Sequence, residues 1–336
     1  MKNVFFINSH TTCLTVFGVI DYLKLNLSDV ILICVRNYKN IQLNDFPNVI
    51  DASNISEESS VMVRLDFNKR DREKYIKDVD EFIDLKIGGS YHLFAPHLAH
   101  PFWQLFYTNE KCKFFSYVQE GALPFTKAFV TKAPLKGKIE NILYKFLFTN
   151  RSWFYRPWFL KDHIKDLSKV DAYTTNDKFF KYLPVEKKYV KWPSQNVKTE
   201  FLPDHRIFIY DAFVSNSIML SGDYITMCKK LVDEYAEKNN YLKFHPSQSE
   251  EEREIIKNYF TTKCLKYEVL DNSIPFEYVI MQEKNLHLVG LGSSLLFLAH
   301  EYGHDVICLD DELLKFERYS KYRERFGFMS YREYIQ

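Results

Sequence analysis

A chain of 336 residues is long enough for two domains, each with its own core. With 45 Lys/Arg against 44 Asp/Glu the formal charge is +1, which excludes a global field that would draw the chain to nucleic acid. A hydrophobic share of 46% excludes disorder, and ten glycines with eleven prolines exclude collagen-like and linker-rich chains and disfavour a propeller.

The opening run Val4-Phe5-Phe6-Ile7 turns polar at Asn8-Ser9-His10. It is too short for a secretion signal and predicts a first β-strand. A helix is expected near residues 14–25, then strands over 30–35, 90–94 and 114–118. The segment 125–165 mixes nine Lys/Arg with many aromatic residues and carries only Glu140 and Asp162 as acids. That mixture suits the headgroup layer of an anionic membrane, a core helix with solvated lysines being the bland alternative and a single-stranded nucleic-acid surface the weaker one. Residues 183–204 hold Pro184, Pro193 and Pro203 and read as an extended connection, where a domain boundary is placed.

Beyond it, strands are expected over 206–210, 241–244, 266–269, 286–289 and 305–309, with a helix over 222–238 after the first. Short apolar strands alternating with helices predict an α/β protein with mostly parallel sheets, buried on both faces. The expected organisation is a doubly wound domain over residues 1–190, a second over 205–310 and a helical tail over 311–336. A cleft between the two domains would take the ligand. No stretch of 18 uncharged apolar residues exists to span a bilayer. The six scattered cysteines read as buried, reduced thiols of a cytosolic protein.

Four short features carry the candidate chemistry: Gln119-Glu120-Gly121, Lys243-Phe244-His245-Pro246, Ile274-Pro275-Phe276-Glu277 and Gly290-Leu291-Gly292-Ser293-Ser294. Singly, Glu120 reads as a loop carboxylate, His245 as a strand-end histidine and Ser293 as a helix cap. Together they are more informative, because Glu120, His245 and the glycine-serine turn each follow a predicted strand, where α/β sheets hold ligands. Two small residues and two hydroxyls before a helix present N–H groups to a phosphate. Neither a Walker lysine nor a full GxGxxG pattern accompanies them.

The order acidic-Gly, His-Pro, Ser-Ser resembles the bacterial sialyltransferases, namely the lipooligosaccharide sialyltransferases and capsule polysialyltransferases, with multifunctional sialyltransferases more distant. That resemblance implies a GT-B fold of two Rossmann-like domains, a CMP-sialic acid donor, inversion at the anomeric carbon and no metal or other cofactor. It implies Glu120 as general base and His245 as the acid that protonates the departing CMP phosphate, with Pro246 fixing the turn. Ser293 and Ser294, beside Gly292, would hold that phosphate. Glu277 would take the ribose hydroxyls, and the backbone at Lys243 the cytosine edge. The first acidic position of the motif is Gln119 here, so Glu120 is its one carboxylate.

The implied acceptor is a galactoside or other sugar of a bacterial surface glycan, such as lipooligosaccharide, O-antigen or capsule, free or lipid-linked, reached from the cytoplasmic face of the inner membrane. The loop Asn8–Thr12, with Ser9 and His10, is the candidate to touch it, a polar helix entry being the alternative. Two rivals stand beside this reading. His300-Glu301-Tyr302-Gly303-His304 matches the H-E-x-x-H zinc metalloprotease pattern, but no convincing third ligand accompanies it, Glu312 being the one candidate, and Gly303 stands where a helix would stop. A non-catalytic, membrane-binding protein would use segment 125–165 and the basic-aromatic run 315–332. His100-Pro101 reads as a structural helix start.

Overall fold

The computed structural model describes residues 1–36, 38, 41–62, 69–121, 135, 139–140, 142–143, 151–152, 169–181, 183–193, 201–202, 204–272, 275–326 and 329–336. The chain divides into two compact units, Met1–Pro193 and Ser194–Gln336.

The first unit is built on a parallel seven-stranded sheet: β1 (Lys2–Ile7), β2 (Val30–Cys34), β3 (Val49–Asp51), β4 (Tyr91–Ala95), β5 (Cys112–Val118), β6 (Asp171–Thr174) and β7 (Glu186–Tyr189). Their spatial order is β3-β2-β1-β4-β5-β6-β7. Val4 to Ile7 and all of β2 are buried, as strands covered on both faces must be, and this explains their unbroken apolar runs. Helices α1 (His10–Tyr22), α2 (Ser53–Glu57), α3 (Lys69–Lys86) and α4 (Pro101–Thr108) connect the strands. Ser9 caps α1 by accepting the Thr12 N–H. Gly18 on the same helix lies so close to the chain after β7 that a Cβ would stand 2.5 Å from the Lys191 carbonyl oxygen. Pro101 is the first residue of α4, as expected for His100-Pro101.

The second unit repeats the plan with β8 (His205–Tyr210), β9 (Asn239–Phe244), β10 (Tyr267–Val269), β11 (His287–Gly290) and β12 (Asp305–Cys308), ordered β10-β9-β8-β11-β12 and all parallel. Its helices are α5 (Ser221–Tyr235), α6 (Glu250–Thr262), α7 (Phe276–Gln282), α8 (Ser294–Glu301), α9 (Glu317–Phe326) and α10 (Tyr331–Ile335). Three glutamates in the first turn of α6 and the Ser249 cap suit the positive end of its dipole. In both sheets the strand order reverses beside the first strand, at β1/β4 and at β8/β11. Doubly wound sheets hold ligands beyond the carboxyl ends of the strands at such points.

Two expectations need correction. Residues 183–204 are not simply a connection, since β7 lies within them and forms the edge of the first sheet. Its sequence, Glu-Lys-Lys-Tyr, is that of a charged edge strand, which gives no apolar run to read. The six cysteines are free, yet Cys264 is exposed rather than buried. The tail forms two short helices, and Tyr331 and Tyr334 of α10 pack edge-on against Phe297 of α8. Arg323 pairs with Asp311 and Lys315 with Glu312, so those charges of run 315–332 serve their own unit. Most of segment 125–165 lies outside the described residues.

Candidate active site

At the carboxyl edge of the first sheet, the residues leaving β1, β4 and β5 converge on one carboxylate. Glu120 is the second residue after β5, and Gly121 behind it takes φ +39°, a left-handed turn that favours glycine. The Glu120 side chain is buried. Asn8, immediately after β1, donates from Nδ2 to Glu120 Oε1 at 2.5 Å. His97, two residues after β4, places Nε2 3.5 Å from Oε2.

Burial raises the Glu120 pKa, against the opposing pull of the Arg36 guanidinium and of the Asn8 hydrogen bond. Burial likewise holds His97 well below the ordinary histidine range, helped by His100 and Arg36, so its ring is neutral. The site therefore holds a carboxylate of raised basicity against one neutral donor, the Asn8 amide, and one neutral ring, His97, which is what a general base near neutral pH needs.

Gln119 points elsewhere. Its Oε1 accepts from the Thr174 hydroxyl and from the N–H and hydroxyl of Thr175, which ties β5 to the end of β6. A Gln at that position thus serves the sheet, and Glu120 is the carboxylate that follows it at the strand end. Ser9 is spent as the α1 cap, while His10 bonds through Nδ1 to the Tyr38 hydroxyl 2.9 Å away.

The second unit assembles the other candidates at the carboxyl edge of its own sheet. His245 is the first residue after β9 and half-buried. Its Nδ1 accepts the Ser247 N–H at 3.1 Å, so the neutral ring carries its proton on Nε2. Arg253 donates to the carbonyls of His245 and Pro246, both at 3.0 Å, and so clamps the His-Pro turn.

Lys243 stands opposite Ile209 in the β8–β9 ladder, so its backbone belongs to the sheet and does not offer the free edge expected for a base. Its buried ammonium instead donates to Asp271 O at 3.1 Å and Asn272 Oδ1 at 2.7 Å. Burial pushes its pKa down to about 8, opposed by the charges of Glu277 and Asp271. Glu277 is buried in the first turn of α7, and Ile274 of the same motif lies outside the described residues.

The glycine-serine turn leads from β11 into α8. A Cβ on Gly290 would stand 2.8 Å from the Ile209 carbonyl oxygen, and Gly292 takes φ +133°. Ser293 caps α8, its Oγ 3.5 Å from the Leu295 nitrogen, and Ser294 is the first helical residue.

The H-E-x-x-H reading fails on geometry. Helix α8 ends at Glu301, Gly303 takes φ +79°, and His304 lies in the turn before β12. Both His304 ring nitrogens are engaged, Nδ1 with the Leu286 N–H and Nε2 with the Ile280 carbonyl. Glu301 accepts from the Tyr334 hydroxyl. Among the described residues no group of His, Cys, Asp and Glu side chains is arranged to hold a metal ion.

His97, Arg36 and Arg253 are the neighbours that motif reading passes over, and Asn8, expected in an acceptor-side loop, is instead found on the Glu120 carboxylate. The available signal was a polar residue directly following a buried strand, which applies to Asn8 and nearly to His97.

No curated protein matches the sequence significantly. Among solved structures, the co-structure of S. aureus MnaA with UDP aligns over 92% of this chain and 79% of its own, at 15% identity and TM-score 0.50. A sialyltransferase from Photobacterium damsela aligns over 98% and 79%, at 14% identity and TM-score 0.48. Such likenesses concern architecture, and the fold is GT-B. The sequence model of the alpha-2,8-polysialyltransferase family matches residues 3–306, nearly the whole chain, and sets aside the non-catalytic reading. The chain belongs to that family and is a glycosyltransferase of the sialyl-transferring kind.

Proposed function

We propose that this protein is an inverting sialyltransferase that moves sialic acid, or a related nonulosonic acid, from a CMP donor to a sugar of a bacterial surface glycan. The observation that carries the reading is the burial of one carboxylate, Glu120, between the Asn8 amide and the neutral His97 ring at the ends of β1, β4 and β5. Glu120 takes the proton of the acceptor hydroxyl as its oxygen bonds to the anomeric carbon. The bond from that carbon to the CMP phosphate oxygen breaks, and its electron pair leaves with CMP.

The leaving phosphate gains charge, and N–H donors answer it: the 292–294 turn at the start of α8, the Lys243 ammonium and His245 Nε2–H. His245, whose Nδ1 accepts the Ser247 N–H, presents its Nε2–H to the departing phosphate oxygen as the acid of the reaction. Glu277 faces the ribose hydroxyls in this assignment, and no cofactor is required. A substitution at Glu120 or at His245 should stop the same turnover.

Attachment to an anionic membrane surface belongs to the same reading. No helix of the described residues is long and apolar enough to cross a membrane. Leu135, Ile139, Ile142 and Leu143 are exposed apolar residues within the basic stretch 125–165. This supports an enzyme at the inner-membrane face, working on a surface-glycan precursor.

The test is a panel of nucleotides followed by thermal shift, with CMP and CDP against UDP, GDP and NAD. Selective stabilisation by cytidine nucleotides is expected. A preference for UDP would move the protein to another sugar donor.

A further inference from the structure

The carboxylate Glu120 is held by two groups whose own orientation is fixed from behind. Asn8 Oδ1 accepts from the Thr12 hydroxyl at 3.0 Å, and Thr12 is fixed in turn by Ser9, whose Oγ is 2.9 Å from the Thr12 oxygen. With its carbonyl thus committed, the Asn8 carboxamide can present only Nδ2 to Glu120, at 2.5 Å from Oε1. His97 is fixed by the same logic. Its Nδ1 accepts the Ala99 N–H at 3.1 Å, so the neutral ring must carry its proton on Nε2, which stands 3.5 Å from Oε2. The ring is also stacked against Trp103, with centroids 4.2 Å apart.

We propose that Asn8 and His97 are positioning residues for Glu120, forming a clamp. Asn8 holds Oε1 through a fixed N–H donor, and the neutral His97 ring stands against Oε2 without hydrogen-bond geometry, so that the two set its direction and its basicity while taking no proton themselves. The proposal rests on Glu120 being the base. A relay onward to His97 is closed off, because a second ring proton would have to displace the Ala99 N–H from Nδ1. The proton therefore stays on Glu120 until it exchanges with solvent.

The clamp is matched to its task. A lysine or arginine in contact would hold the carboxylate as a weak base, whereas neutral groups orient it and leave much of the effect of burial in place. The charged and titratable groups that act on the pair are Arg36, after β2, and His100, at the start of α4. Neither forms part of the clamp. At 2.5 Å the Asn8 bond is the stronger of the two, and at 3.5 Å the His97 contact is the weaker.

The experiment compares Asn8→Ala, His97→Leu and His97→Gln with the wild-type protein, using sialyl transfer across pH and infrared titration of the Glu120 carboxyl, whose band is assigned by its loss in Glu120→Gln. Asn8→Ala should lower kcat roughly tenfold to a hundredfold with the donor KM within about threefold, as the loss of a hydrogen bond to a charged group predicts. His97→Leu should lower kcat less, and His97→Gln, whose Nε2 can reach the place of the ring Nε2, should recover most of it. In Asn8→Ala and His97→Leu the carboxyl should protonate at higher pH, and the acid limb of kcat/KM should move up with it.

A carboxyl titration unchanged in both variants would overturn the clamp, whatever the rates. So would a kcat loss in His97→Leu that His97→Gln shares fully. The spectroscopic arm needs no turnover. If Glu120→Gln keeps full activity while the band still shifts, the base assignment fails and the clamp stands as a structural fact about that carboxyl.

Discussion

Lys243 should be a residue that costs stability for the sake of its charge. Its ammonium is buried, and the drop from an ordinary 10.5 to about 8 corresponds to a penalty of roughly 3 kcal/mol on the charged form at neutral pH. In Lys243→Met that penalty disappears and the stem stays apolar. The acceptors left behind, Asp271 O and Asn272 Oδ1, lie at an exposed and a half-buried residue and can turn to water, so their loss is small. Glu277 loses a neighbouring cation, which offsets part of the gain. The net expectation is a variant more stable than wild type by roughly 1–2 kcal/mol at pH 7, read by urea unfolding.

The sign with pH is fixed by the same lowering. Below about pH 8 both folded and unfolded chains carry the proton and the penalty is complete. Between about 8 and 10.5 the unfolded chain holds a proton that the folded one has released, so wild-type stability gains with rising pH relative to the variant. The difference between the two proteins should shrink steadily from pH 7 to pH 10. A variant less stable than wild type at pH 7, with a difference that stays constant to pH 10, would refute the reasoning. If the amine is kept to meet a phosphate, CMP should also stabilise Lys243→Met less than it stabilises wild type.

Glu120→Gln and His245→Ala should each lower turnover at least about a hundredfold while CMP still binds, and a near-normal rate would remove that residue from the mechanism. His304→Leu leaves the Ile280 carbonyl and the Leu286 N–H without their buried partner, and should cost about 2–4 kcal/mol in urea unfolding. An unchanged midpoint would contradict the structural role given to that ring. Gly290→Ala drives a methyl to 2.8 Å from the Ile209 carbonyl oxygen and 3.0 Å from Leu296 Cδ1, and should lower stability by about 1–3 kcal/mol. Gly222→Ala, in the first turn of α5 with nothing within 4 Å of the new methyl, should be neutral or stabilising by up to about 1 kcal/mol, and equal losses at both sites would refute the contact argument.

The strands that the sequence announces are those buried on both faces, where alternation is replaced by a continuous apolar run, as in β1, β2 and β8. Those it conceals are short or polar. β3 is Val-Ile-Asp at one edge, β7 is Glu-Lys-Lys-Tyr at the other, and β6, Asp-Ala-Tyr-Thr, owes its burial to neighbours rather than to its composition. Losing β6 and β7 also hides why Gln119 is there, since its partners Thr174 and Thr175 stand at the end of a strand that no pattern marks.

The candidate site is legible to a similar depth. Motif order finds Glu120, His245 and the 292–294 turn, because each follows a strand that is itself easy to see. It cannot find the Asn8–Glu120 contact, which spans 112 residues and exists only because β1, β4 and β5 are successive in the sheet. A doubly wound order would have supplied that adjacency. Reading the polar residues that follow β1, β4 and β5 then yields Asn8, His97 and Glu120 in one unit, and those that follow the central strands β8, β9 and β11 yield Asp211, His245 and Ser293 in the other.

Direction is the part that adjacency does not give. Gln119 and Glu120 differ by one step along the backbone, and that step sends one side chain to β6 and the other toward the ends of β1 and β4. The chemistry assigned to this protein depends on that single step. A shift of β5 by one residue would place the amide where the base stands and leave the sheet stitched by a carboxylate, with nothing in the apolar pattern of the neighbouring strands to show the difference.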